Sequence, residues 1–235
     1  RLQVSSAIFG DYAATAPHVC KRKVSHQGDV PLYQTKELSV RRGHRKLCGS
    51  FVLSASQKKS VAVVMLHGSG PLDRDGNMPG QKLDIFNTIA AGFGEAGINS
   101  YRYDKFGCGQ SSGNYWASGF TDVIKDACAA VDMLTSLPDI NGIVLLGHSE
   151  GTMVAPVVAH LRPQVLGLIL LCPTMQPVED TLMRQTKQMA DMIKEMPGLR
   201  SVLTRLFFRM KGGLVRSQRR LINQIKASGD DTFRW

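Results

Sequence analysis

Residues 143–151 read Ile143-Val144-Leu145-Leu146-Gly147-His148-Ser149-Glu150-Gly151. An apolar run that feeds straight into G-x-S-x-G is the sequence form of a nucleophile elbow, a sharp strand-to-helix turn with a serine at its tip. Strand and helix pass close together at such a turn, so the positions two before and two after the serine must be small. Gly147 and Gly151 meet that demand. Ser149 is therefore the candidate nucleophile, and the Glu150 N–H is aimed where an oxyanion would form. His148 is expected to orient the turn.

A second signal lies upstream. Val61–Leu66 is an apolar, largely β-branched run followed by His67-Gly68-Ser69-Gly70-Pro71. In acyl-transfer enzymes built on a parallel sheet, the loop after this strand donates one amide to the oxyanion hole. Gly68 and Gly70 let the backbone approach a substrate closely. The expected donors are the N–H groups of Ser69 and Glu150. His67 is expected to brace the loop rather than transfer protons, and Asp73, Arg74 and Asp75 to shape it through salt bridges.

The intervening pattern fixes the fold class. Strands are expected at Leu47–Leu53, Val61–Leu66, Asn99–Tyr103, Ile143–Leu146 and Val165–Leu171, the last a continuous run of the kind buried on both faces of a parallel sheet. Ile85, Ile89 and Phe93 mark one face of a helix that stops near Gly97. Val123, Ile124, Ala127, Val131 and Leu134 mark a second, over about 120–137. A third starts at the elbow and runs through Val154, Val157 and Val158, with Pro156 in its first turn or at a kink. The βαβαβ order implies an α/β protein with a doubly wound, mostly parallel sheet, in which ligands bind at the carboxyl ends of the strands. After Pro173 only helical periods follow, and six of the ten methionines lie there, as expected of an adaptable apolar cap after the sixth strand. The organisation reads as an irregular basic segment over 1–46, an α/β core over 47–175 and a helical cap over 176–235.

Charge separates these regions. Residues 1–46 carry nine Lys/Arg against three Asp/Glu, residues 47–172 eight against ten, and residues 173–235 twelve against six. No aromatic interleaving or nucleic-acid motif accompanies the basic flanks, so they read as solvated surface and no nucleic-acid partner is expected. No apolar run reaches the ~20 residues of a membrane span. The five cysteines show no metal or C-x-x-C spacing, which excludes a metal site of that kind and favours reduced thiols in an intracellular setting. Neither a cofactor nor a metal is implied, and the oligomeric state is not readable.

Taken together, HGSGPLDRDGN (67–77), YRYDKFGCGQSSGNY (101–115) and LLGHSEGTMVAP (145–156) resemble the α/β-hydrolase superfamily. The likeness is to bacterial-type carboxylesterases with a dienelactone-hydrolase-like or serine-aminopeptidase-like core, and it covers about residues 47–180. It implies a Ser-His-Asp serine esterase acting on a small-molecule ester. Family members usually read D-K-R-G where this chain has Asp104-Lys105-Phe106-Gly107. Asp104 is expected to brace its loop, because the triad acid follows the serine in this fold. Beyond Ser149 the one histidine is His160, a few helical turns on, and the acids at 179, 180, 191, 195, 230 and 231 do not follow strands. The expectation is a fragment without its triad base and acid. The alternatives are a catalytically incomplete binding or regulatory protein, and a peptidase, thioesterase or acyltransferase on the same scaffold.

Overall fold

The computed structural model describes residues 32–54, 60–195, 197, 199–210 and 212–228. Residues 32–235 form one unit, separate from residues 1–31. The N-terminal stretch with Cys20, His18 and His26 lies outside the described residues, as do Met196, Asp230 and Asp231.

Six strands form one sheet: β1 (Tyr33–Arg42), β2 (Arg45–Ser54), β3 (Ser60–Leu66), β4 (Asn99–Tyr103), β5 (Ile140–His148) and β6 (Val165–Leu171). Their spatial order is β1-β2-β4-β3-β5-β6. The four strands from β4 to β6 are parallel, and the β1–β2 hairpin adds antiparallel to β4. The helices are α1 (Ile85–Glu95), α2 (Phe120–Thr135), α3 (Gly151–Leu161), α4 (Val178–Glu195), α5 (Leu199–Met210) and α6 (Leu214–Ser228).

β3 shows why the sheet is wound on both faces. Successive side chains of a strand point to opposite sides. Ala62, Val64 and Leu66 join a core with Ala127, Val131 and Leu134 of α2 and Val154 and Val158 of α3. Val63 and Met65 pack the other way, against Phe86 and Ala90 of α1. An uninterrupted apolar run is what such a two-sided strand requires.

Four sequence expectations need correction. The segment 1–46 is not irregular over its last part, because β1 and the start of β2 occupy residues 33–46. β1 has no apolar run, since it is an edge strand with Val40 as its one buried side chain, held by the ladder to β2 and by a two-residue turn with Gly43 at φ 57°. β6 forms where expected but is not buried on both faces. It pairs only with β5 among the described residues, and Leu166 is 64% exposed. On α1 the fully buried positions are Phe86, Ala90 and Gly94; Ile89 and Phe93 of the expected stripe pack partly buried against the same core, while Ile85 is exposed. On α3, Val157 is exposed and Pro156 lies past the first turn, on the exposed side of the helix.

The three C-terminal helices follow the expected periods, and no strand follows Leu171 among the described residues. Their main contacts are with one another. Met175, Met189, Met192 and Met210 are exposed. None of the described helices is long and apolar enough to cross a membrane. Of the described cysteines, Cys48, Cys108 and Cys128 are buried free thiols and Cys172 is exposed.

Part of the basic excess is paired internally. Arg45 is 4% exposed and forks onto Asp126 of α2, with Nε 3.0 Å from Oδ1. Arg42 reaches Asp126 and Asp122, each at 2.9 Å. Removing one partner of a buried ion pair leaves the other charge uncompensated. Asp126→Ala should therefore lower the unfolding free energy by about 3 kcal/mol. Asp132→Ala, also on α2, breaks the exposed pair with Arg162 at the end of α3 and should cost less than about 1 kcal/mol. Urea unfolding of the two variants beside the parent chain measures both.

Candidate active site

The elbow has the expected backbone. Ser149 lies between β5 and α3 with φ at 52°, in the left-handed region that a side chain seldom occupies. The strain is held in place from several sides. Ser149 N–H donates to Leu171 O at the end of β6 (3.0 Å), while Ser149 O accepts from the Thr152 amide (2.9 Å) and hydroxyl (2.6 Å). The flanking glycines are required by crowding. A Cβ on Gly147 would lie 2.3 Å from Gly151 O, and one on Gly151 would lie 2.2 Å from Leu66 O. The half-buried Ser149 side chain thus stands at the carboxyl end of β5, beside the N-terminus of α3, where unpaired amides favour negative charge.

The glycine loop after β3 is brought to the same place. A Cβ on Gly68 would lie 3.3 Å from Ser149 Cβ and 3.2 Å from His148 Nδ1. Gly70 N–H donates to Tyr115 Oη at 3.2 Å. Among the described residues no acceptor is bonded to the amide of Ser69 or of Glu150.

His67 is buried with its Nε2 2.6 Å from Asp73 O, to which it donates, and its ring stands edge-on to Phe86. Burial, with the nearby Lys105 charge, pushes its pKa down to about 3. It is a neutral brace and not a base at ordinary pH. Asp73 itself accepts from the amides of Asp75 and Asn77, at 2.9 Å each, so it shapes the loop by hydrogen bonds and not by the expected salt bridge. Arg74 and Asp75 do form ion pairs: Arg74 Nη2 to Asp104 Oδ2 at 2.8 Å, and Asp75 Oδ1 to Arg102 Nε at 2.7 Å.

Asp104, 1% exposed, also accepts from the amides of Arg74 (2.7 Å) and Gln110 (2.9 Å). Its bonds to Arg74 tie the two loops to each other, and the Gln110 amide closes its own loop on the carboxylate, as a bracing acid does. Arg74 continues to Ser50 Oγ (2.8 Å), Gln110 Oε1 (3.0 Å) and the Glu37 carboxylate. Burial raises the pKa of Glu37, but the hydrogen bonds from Ser50 and Arg74 outweigh it and hold the carboxyl below its usual value. Phe106 lies under Arg45, whose Cζ is 3.6 Å from the ring centroid, at the position where the resemblance leads one to expect arginine. A guanidinium thus reaches this spot from β2 instead.

Two residues here went unnoticed in the sequence. Lys105 is buried, and its Nζ donates to Gly68 O at 2.6 Å and to Glu150 Oε1 at 3.1 Å. Tyr115 holds the loop from the other side. Neither carries a signature in the sequence; Lys105 stands two residues past the end of the wholly buried strand β4. No histidine or carboxylate hydrogen-bonds Ser149 Oγ among the described residues, and His160 is exposed near the end of α3. No cluster of metal-ligating side chains is present among them either.

The family model for serine aminopeptidase, S33, matches residues 79–231. The chain belongs to the serine aminopeptidase S33 family. Its similarity to the esterase EstD of Thermotoga maritima is 31% identity over 159 residues, which is 68% of this chain and 37% of EstD. The chain thus spans little more than a third of that S33-like relative. Among solved structures, the Pyrococcus furiosus esterase Pf2001 aligns with TM-score 0.53 at 18% identity, over 74% of this chain and 61% of its own. DcsB, solved with a substrate analogue, aligns with TM-score 0.51 at 21% identity, over 71% and 56%. These likenesses bear on the fold, and it is that of the α/β-hydrolases.

The depressed His67 pKa makes stability pH-dependent. Unfolded, the imidazole takes up a proton near its ordinary 6.5; folded, it does so only near 3. Between those values the unfolded chain binds more protons, so stability is full above 6.5 and falls as pH drops, by up to about 1.4 kcal/mol per pH unit. The Glu37 and Asp122 carboxyls, also depressed, add their share only nearer their ordinary values of 4.5 and 3.8. Urea midpoints taken between pH 7 and 5 should fall for the parent and stay flatter for His67→Gln.

Proposed function

We propose that this chain supplies the nucleophile and oxyanion hole of a serine hydrolase acting on carboxylic esters through an acyl-enzyme at Ser149. The observation that carries this reading is the meeting of two segments distant in sequence. The serine at φ 52° and the glycine loop at position 68 lie side by side, so that a Cβ at 68 would come within 3.3 Å of the serine's own, and the amides of Ser69 and Glu150 have no partner among the described residues. The esterase EstD, similar over two thirds of this chain, supports the ester as substrate class.

In this reaction Ser149 Oγ attacks the ester carbonyl carbon as its proton passes to a base. The carbonyl oxygen, now an anion, is held by the Ser69 and Glu150 N–H groups, and the N-terminus of α3 adds favourable potential. Collapse of the tetrahedral species expels the alcohol, which recovers the proton. Water then attacks the acyl-enzyme by the same route, and the carboxylic acid leaves. No described residue occupies the position of the base, so the reading assigns that role, and the acid behind it, to other residues of the full-length protein.

The test is made on the full-length gene product. A fluorophosphonate should label Ser149 and nothing else, and short-chain p-nitrophenyl esters should be hydrolysed. Ser149→Ala should abolish labelling and lower kcat by about 10⁴-fold or more. A full-length protein that neither labels nor turns over would favour the noncatalytic binding role on this fold. Faster turnover of peptide, thioester or acyl-acceptor substrates in the same panel would move the assignment to those classes.

A further inference from the structure

A buried lysine is costly unless its charge is well paired. The bonds Lys105 makes single out one peptide group. Its ammonium donates to Gly68 O at 2.6 Å, and the carbonyl of Gly68 belongs to the same planar unit as the N–H of Ser69. In a trans peptide the C=O and N–H point in opposite directions. A cation fixed on the oxygen therefore sets where that N–H points. It also draws electron density through the unit and makes the N–H a stronger donor, because hydrogen bonds in series polarise one another.

Its neighbours complete the clamp. The next amide, Gly70 N–H, is held by the Tyr115 hydroxyl at 3.2 Å. Residues 68–70 are thus tied before and after the Ser69 N–H, which has no partner of its own among the described residues. The same ammonium holds the Glu150 carboxylate at 3.1 Å, so one side chain links the two segments that carry the two free amides. The surroundings are enclosed: the Lys105 side chain is 7% exposed and borders a small cavity of about 20 Å³ with His67, Tyr103, Phe106 and Tyr115.

We infer that Lys105 is a positioning residue that orients and polarises the Gly68–Ser69 peptide as an oxyanion donor and sets its spacing from the Glu150 amide. This rests on the acyl-transfer reading above. A lysine serving only as counter-ion to Glu150 would contribute to stability without any particular effect on the Ser69 N–H or on the transition state.

Two measurements separate these roles. The first needs no turnover. In ¹⁵N-labelled chain, Lys105→Met should shift the Ser69 amide nitrogen and proton upfield, as loss of the bond to the preceding carbonyl requires, and leave Val131 and Leu134 in the core unmoved. An unshifted Ser69 resonance in a folded variant overturns the inference. A Met variant that does not fold passes the comparison to Lys105→Gln, which keeps a neutral donor and should give a smaller shift in the same direction. The second uses the full-length protein and p-nitrophenyl butyrate. Lys105→Met should lower kcat by about tenfold with KM within about twofold, and Lys105→Gln should fall between it and the parent. Unchanged kcat, or a loss expressed in KM alone, overturns the inference. A wild-type protein without turnover or Ser149 labelling sinks the acyl-transfer reading, and the Ser69 shift then still decides what Lys105 does to the peptide.

Discussion

Everything at the carboxyl end of this sheet depends on how closely β5, β3 and α3 approach one another. The carbonyl oxygens of Gly151 and Leu66 fill the places that side chains at 147 and 151 would take. That crowding forces the chain to turn through a left-handed residue, and the residue at the turn is Ser149. A flexible loop would hold a hydroxyl in many orientations. Here the backbone leaves little choice, and the energy stored in the unfavourable φ is balanced by the packing of a two-sided parallel sheet.

The loops that meet this turn are held mainly by charge. Asp104 and Arg74 join the loop after β3 to the loop after β4, and Asp75 with Arg102 adds a second tie. Lys105 connects both to the elbow. Each of these cations is largely removed from water and each has more than one acceptor, the condition under which a buried charge is tolerated. The site is therefore a rigid apolar sheet topped by a polar lattice, with the two unpartnered amides left where the lattice ends.

The sheet and the elbow were legible because their constraints are local. A strand buried on both faces needs a run such as Val61–Leu66, and the tight turn needs glycine at fixed offsets. What escaped the sequence depends on partners distant along the chain. β1 has one buried side chain and owes its strand conformation to β2. β6 has the composition of a central strand, and only the sheet order shows that it pairs with β5 alone among the described residues. On α1 the burial of Gly94 could not be read from the helix's own period, because it is Tyr33, some sixty positions earlier, that packs against it. Among the site residues, Ser149, Ser69 and Glu150 could be named from spacing, and the structure sets their segments side by side. Lys105 and Tyr115 could not, since a lysine and a tyrosine in a Gly-rich stretch carry no signature until the groups they touch are known.

The stacking of Arg45 on Phe106 carries an evolutionary consequence. The guanidinium over the ring arrives from β2 and is neutralised by Asp126. Placing arginine at 106 alone would set two like charges against one carboxylate and remove the aromatic face beneath the first. Changing Arg45 alone would strip Phe106 of its cation. The two sites are thus epistatic: a change at one alters what the other can tolerate, and they are free to vary only together.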